Sequence, residues 1–133
     1  GYRSDCTRTL TVGPGDGRFA EIYDLVLQAQ LAGIAALRAG PKAGEVDAIS
    51  RDLIAAAGFG EEFGHSLGHG IGLEVHELPF LRTQGEDVLE PNMVVTIEPG
   101  VYLPGWGGVR IEDMAIVEPD GCRILTSAPK ARV

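Results

Sequence analysis

The chain has 133 residues, is 44% hydrophobic and 23% charged, and carries a formal net charge of -8. That is about one domain of ordinary globular material, without the basic patches that nucleic-acid binding needs and without any run near the roughly 18 apolar residues of a membrane span. Its two cysteines, Cys6 and Cys122, form neither a disulfide framework nor a C-x-x-C pair. With no signal-peptide pattern at the start, both are expected to be small buried residues in a reducing cytoplasm.

Residues Tyr2 to Val12 are rich in β-branched types and run into Gly13-Pro14-Gly15-Asp16-Gly17, which reads as a strand and a turn. On such a strand Asp5, Thr7 and Thr9 share one face. The chain enters this strand directly, which reads as the interior of a longer protein. Phe19 to Ala39 follows helical spacing through Ile22, Leu25, Val26, Ala29, Gly33, Ala36 and Leu37, and Gly40-Pro41 stops it. The small residues Ala29, Ala32, Gly33 and Ala36 predict close packing on a neighbour. A second helix is expected from about Gly44 to Ala57, with Val46, Ile49, Leu53 and Ala57 as its inner stripe.

Six glycines between Gly58 and Gly72 rule out a helix there and favour short strands and turns. Further strands are expected at Val94–Ile97, Val109–Val117 and Cys122–Thr126, with Pro119-Asp120-Gly121 turning between the last two. Strands that follow the helices, separated only by turns, predict an α+β fold with an antiparallel sheet flanked by helices.

All three histidines, His65, His69 and His76, lie within the run from His65 to Pro79. His65 and His69 are four apart, but Ser66 replaces the glutamate of a zincin motif and Gly64, Gly68 and Gly70 break any helix, so that motif is rejected. Glu98 follows the apolar run Val94-Val95-Thr96-Ile97. Glu112 shares a strand face with Arg110, Met114 and Ile116, and the apolar pair predicts that this face is buried. A buried carboxylate needs a cationic partner, which leaves an Arg110–Glu112 structural pair or a metal ion. Imidazole with several carboxylates on strands and glycine-rich turns suits divalent metal.

Ser4-Asp5-Cys6-Thr7-Arg8-Thr9, the stretch Gly68-His69-Gly70-Ile71-Gly72-Leu73-Glu74-Val75-His76-Glu77, Thr96-Ile97-Glu98-Pro99-Gly100 and Gly108-Val109-Arg110-Ile111-Glu112-Asp113 occur in an order and spacing that resemble the M24 metallopeptidases of the pita-bread fold. The likeness is to the proline-specific branch, Xaa-Pro dipeptidase (prolidase) and Xaa-Pro aminopeptidase. The resemblance implies hydrolysis of the Xaa-Pro bond by a hydroxide bridging two divalent ions. The oxygen-rich ligand set suits manganese or cobalt, with zinc as the alternative. Asp5 and Glu112 would bridge the metals, and His69 and Glu98 would bind one of them. His76 would contact the substrate carbonyl and steady the tetrahedral intermediate. His65 would bind substrate or move a proton, and Arg110 would orient the carboxylates.

The family has one more aspartate ligand eleven residues before Asp5, which falls before Gly1. Residues 1–133 are therefore expected to form the C-terminal part of the catalytic domain, inactive alone, its parent a cytoplasmic homodimer acting on proline-containing peptides. A metal-free creatinase-like hydrolase and a non-catalytic binding module on the same fold are the alternatives, disfavoured because Asp5, His69, Glu98 and Glu112 are all present.

Overall fold

The computed structural model describes residues 1–131, so the last two positions of the expected unit, Arg132 and Val133, lie outside the described residues. Among the described residues, helices α1 (Gly17–Ala36) and α2 (Ala43–Ala56) precede seven strands. These are β1 (Gly68–Gly70), β2 (Glu77–Leu81), β3 (Val94–Ile97), β4 (Gly100–Leu103), β5 (Gly107–Arg110), β6 (Asp113–Glu118) and β7 (Gly121–Ile124). One sheet has the order β2-β1-β3-β6-β7 and the other is the ribbon β4-β5. Every pairing is antiparallel, so the architecture is the expected α+β.

Asp16 starts α1 by accepting the Phe19 N–H at 2.7 Å, the side-chain cap that satisfies one of the free amides of a first turn. The helix ends at Ala36, three residues before the expected end. Its small residues do pack closely. A Cβ on Gly33 would come within 2.6 Å of Ser50 Oγ on α2, and Ser50 Oγ donates to the Ala29 carbonyl at 2.8 Å. Helix, sheet and ribbon share one core, in which Ile22, Val26, Ile54, Leu67, Ile97, Val109 and Ile111 are sealed from solvent.

Helix α2 turns a different stripe inward from the one expected. Ala43, Val46, Asp47, Ser50 and Ile54 are buried, while Ile49 and Leu53 remain 43% and 42% exposed. Polar anchoring sets this rotation. Asp47 accepts from Arg51 Nε and Nη2 at 2.7 and 2.8 Å and from the Leu67 N–H at 3.0 Å. An acid tied to the strand side pulls its own face inward and carries Ile49 and Leu53 out.

Three further expectations are corrected. Residues 2–12 are extended but form a single bridge, Thr7 to Glu112. The segment crosses the sheet from the Gly72 carbonyl, which accepts the Arg3 N–H at 2.8 Å, to Arg110, whose N–H donates to Thr9 Oγ1 at 3.0 Å. A chain running over a sheet spends its hydrogen bonds on side chains and turns, not on a ladder. Cys6 on this segment is exposed and Cys122 is half-buried. Val109–Val117 is not one strand. It pairs first with β4 and then with β3, changing partner at Ile111-Glu112. The buried face of β6 carries Asp113, Ala115 and Val117, and Met114 and Ile116 are only half-buried. Glu112 is nonetheless 2% exposed, because the crossing segment covers it.

Candidate metal centre

The change of partner at Ile111-Glu112 frees the Glu112 N–H from the sheet, and it donates to the Thr7 carbonyl at 3.0 Å. The Thr7 hydroxyl donates to Glu112 Oε2 at 2.5 Å. Glu112 Oε1 is buried and has no hydrogen-bond partner among the described residues. Burial, with the charges of Glu98 and Asp5 added, pushes the Glu112 carboxyl up to about 7 against the Thr7 bond and the Arg110 charge. A buried oxygen without a partner, on a carboxyl crowded by other acids, is a position that a cation would satisfy.

His69 sits in β1 and is 4% exposed. Its N–H donates to Thr96 Oγ1 at 3.0 Å, and Nδ1 lies 3.0 Å from the Gly70 carbonyl. A carbonyl only accepts, so Nδ1 holds a proton, and Nε2 in turn donates to the Glu98 carboxylate, a place where a divalent ion would replace the proton. Nε2 is 3.1 Å from Glu98 Oε1 and 3.9 Å from Asp5 Oδ2. Burial opposes charge on this imidazole, but the hydrogen bonds to Glu98 and Gly70 and the charges of Glu98 and Asp5 outweigh it and raise the pKa. A proton and a divalent ion would compete for the same lone pair.

Glu98 follows β3 directly, and its N–H is fixed to the Leu67 carbonyl at 2.7 Å. Burial would raise its pKa, yet the hydrogen bonds from His69 and Thr96 hold it below the usual range. Thr96 Oγ1 donates to Glu98 Oε1 at 3.0 Å and so aligns both Glu98 and His69. Asp5, His69 and Glu112 each offer one ligand atom within 4.8 Å of the others. This group, with Glu98 beside His69 at 3.1 Å, would fit divalent metal ions.

Arg110 does not pair with Glu112. Its Nε donates to Thr7 Oγ1 at 3.1 Å and lies 4.0 Å from Glu98 Oε2, while Nη1 donates to the Tyr102 hydroxyl at 3.3 Å. It reaches Glu112 through Thr7, so the structural-pair alternative falls. His65 Nδ1 donates to the Ser66 carbonyl at 2.8 Å, leaving Nε2 to accept from the Tyr102 hydroxyl at 2.8 Å. Its ring stands edge-on to Phe63, centroids 5.1 Å apart. His76 is exposed, with its ring 4.4 Å from that of His69.

Sequence reasoning missed Thr7, Thr96 and Tyr102 as parts of the site. A period of two was the available signal for the threonines. Thr7 lies two residues from Asp5, and Thr96 two from Glu98. Tyr102 has no such signal, because the β4-β5 ribbon brings it to Arg110 and His65.

The fold brings these residues into one centre that would fit divalent cations. The sequence profile of metallopeptidase family M24 matches residues 1–119. The chain is 51% identical over 130 residues to the peptidase YqhT of Bacillus subtilis, covering 98% of this chain and 37% of that protein. It is 48% identical over 129 residues to the Xaa-Pro dipeptidase of Pyrococcus horikoshii, covering 97% of this chain and 37% of that protein. The solved structure of an Xaa-Pro dipeptidase from Bacillus anthracis superposes with a TM-score of 0.97 at 52% identity, covering 99% of this chain and 37% of that one. The chain belongs to metallopeptidase family M24. It spans a little over a third of the length of the relatives it matches, 37% in each of these cases.

Proposed function

We propose that the protein containing this chain hydrolyses the peptide bond before proline, as an Xaa-Pro dipeptidase or aminopeptidase. The observation that carries this is the buried, unpartnered Glu112 oxygen among Asp5, His69 and Glu98. The names of the similar proteins supply the substrate class. Residues 1–133 contribute the C-terminal portion of the catalytic domain in this reading. The further aspartate that the family resemblance places eleven residues before Asp5 lies outside them.

Asp5, His69, Glu98 and Glu112 would hold the divalent ions. Manganese or cobalt suits the oxygen-rich set, with zinc as the alternative. When bound, such ions polarise a carbonyl and bring the pKa of water toward neutrality. The protein residues do the rest. Thr7 and Thr96 fix the Glu112 and Glu98 carboxylates by hydrogen bonds. His76, exposed beside His69, donates to the substrate carbonyl as charge grows on its oxygen. His65, held in one tautomer by Ser66 and Tyr102, lines the substrate path and moves a proton. Arg110 keeps Thr7 and Tyr102 in place.

No helix is long and apolar enough to cross a membrane among the described residues. The proposed setting is a cytoplasmic homodimer that meets proline-containing peptides and no nucleic acid. The test is release of proline from Xaa-Pro dipeptides, and of the N-terminal residue from longer Xaa-Pro peptides, before chelation, after it, and after return of manganese, cobalt or zinc. Turnover is expected to vanish on chelation and to return best with manganese or cobalt. Full turnover in metal-free protein would overturn the mechanism.

A further inference from the structure

Glu77 is the first residue of β2 and pairs with Gly70 on β1, next to His69. Its backbone is therefore tied to the strand that carries a proposed ligand. Its side chain turns back over the loop before it. Oε1 accepts the Glu74 N–H at 2.8 Å. The two carboxylate oxygens press on Gly72, where a Cβ would meet them at 2.7 and 2.9 Å. The Gly72 N–H donates to the Glu74 carbonyl at 3.1 Å. The loop is closed from its inner side by this carboxylate. From the outer side Arg3 holds it, through its N–H to the Gly72 carbonyl at 2.8 Å and Nε to the Leu73 carbonyl at 3.2 Å.

His76 is the last residue of that loop. Its ring is exposed, so burial does little to hold it, and its direction depends on the backbone on either side. That backbone is fixed by Glu77 on one side, through the strand and through the folded-back carboxylate. We propose that Glu77 is a positioning residue for His76. Its carboxylate sets the loop so that the imidazole faces the reacting carbonyl, and Gly72 is glycine because any side chain would displace that carboxylate. This assignment rests on the role given to His76 above.

The test uses His76→Ala, Glu77→Ala, Glu77→Gln, Gly72→Ala and the double variant His76→Ala with Glu77→Ala, each in the protein that contains this chain. kcat and KM on an Xaa-Pro dipeptide are measured beside bound metal. A misplacement of about 1 Å costs on the order of 10²-fold in rate. Glu77→Ala and Gly72→Ala are therefore expected to lower kcat roughly 10- to 100-fold, with KM little changed and metals retained. Glu77→Gln keeps an acceptor oxygen for the Glu74 N–H and should recover most of the loss. The double variant should be no slower than His76→Ala alone, because the two residues act through one imidazole.

Unchanged kcat in Glu77→Ala beside a slow His76→Ala would overturn the assignment. So would a double variant in which the two losses multiply, or a Glu77→Gln as slow as Glu77→Ala. If Glu77→Ala does not fold, Gly72→Ala carries the test, since it moves the carboxylate without removing it. Normal turnover in His76→Ala would overturn the role of His76 itself, and this assignment with it.

Discussion

The Thr7 hydroxyl donates to Glu112 Oε2 at 2.5 Å, while the other oxygen of the same carboxyl is buried with no partner among the described residues. One half of the group is oriented by the protein and the other half is held open. The same threonine oxygen accepts from Arg110 Nε at 3.1 Å, so the guanidinium reaches the carboxyl only through an intermediary. Direct pairing would have satisfied the charge that a cation is proposed to balance.

Stability of the metal-free protein should follow from this. The folded Glu112 carboxyl titrates at about 7, raised from 4.5 chiefly by burial. Between those values the folded state keeps a proton that the unfolded state has released. Stability from this group is therefore lost as pH rises through the window, by at most about 3 kcal/mol. Glu112→Gln should flatten that fall, and should also remove both the stabilisation by added metal and the turnover. Thermal unfolding of the chelated protein at pH 5 and pH 8, with and without the substitution, measures it. An equal fall in both proteins would show that Glu112 is not the group responsible.

His76→Ala should lower kcat on the order of 10²- to 10³-fold, the usual effect of removing a donor to a developing oxyanion. Bound metal should stay at the level of the unsubstituted protein, since the ring lies beside His69 and outside the Asp5, His69 and Glu112 cluster. Metal analysis beside kinetics decides this, and loss of metal in the variant would contradict the role proposed.

Asp113 gives an acid-side prediction. It is fully buried and accepts from Arg8 at 2.6 Å, Lys130 at 2.5 Å and Gln30 at 2.9 Å. Burial would raise its pKa, but these three partners hold it below 3.8. Its contribution is complete above that value and lost as pH falls through the lower folded pKa. Asp113→Asn leaves two cations short of an acceptor and should cost on the order of 3 kcal/mol. Urea unfolding at neutral pH and near pH 3 should show the gap between the two proteins closing in acid.

Gly33→Ala should loosen the packing of α1 on α2. The added methyl would sit 2.6 Å from Ser50 Oγ and 3.2 Å from Ile97 Cγ2. Overpacking of this kind costs about 1–3 kcal/mol, more than the helix propensity that alanine returns. A fall in the urea midpoint checks it, and a more stable variant would show that the helices part easily.

The sequence by itself determined the two helices, the strand Val94–Ile97, the antiparallel α+β class and the residues that gather at the site. Local periodicity and turn chemistry carry that information, and Asp5, His69, Glu98 and Glu112 stand in recognisable local motifs. Their convergence is visible in the fold, where His69 Nε2 lies 3.1 Å from Glu98 Oε1 and 3.9 Å from Asp5 Oδ2. Only the tertiary structure decided how Glu112 comes to be buried and half-satisfied. That depends on a chain that changes sheet partner at Ile111-Glu112 and on a segment more than a hundred residues earlier that crosses over it. The same holds for Tyr102 beside Arg110 and for the outward turn of Ile49 and Leu53. Each is set by contacts between residues far apart in sequence, which spacing along the chain does not encode.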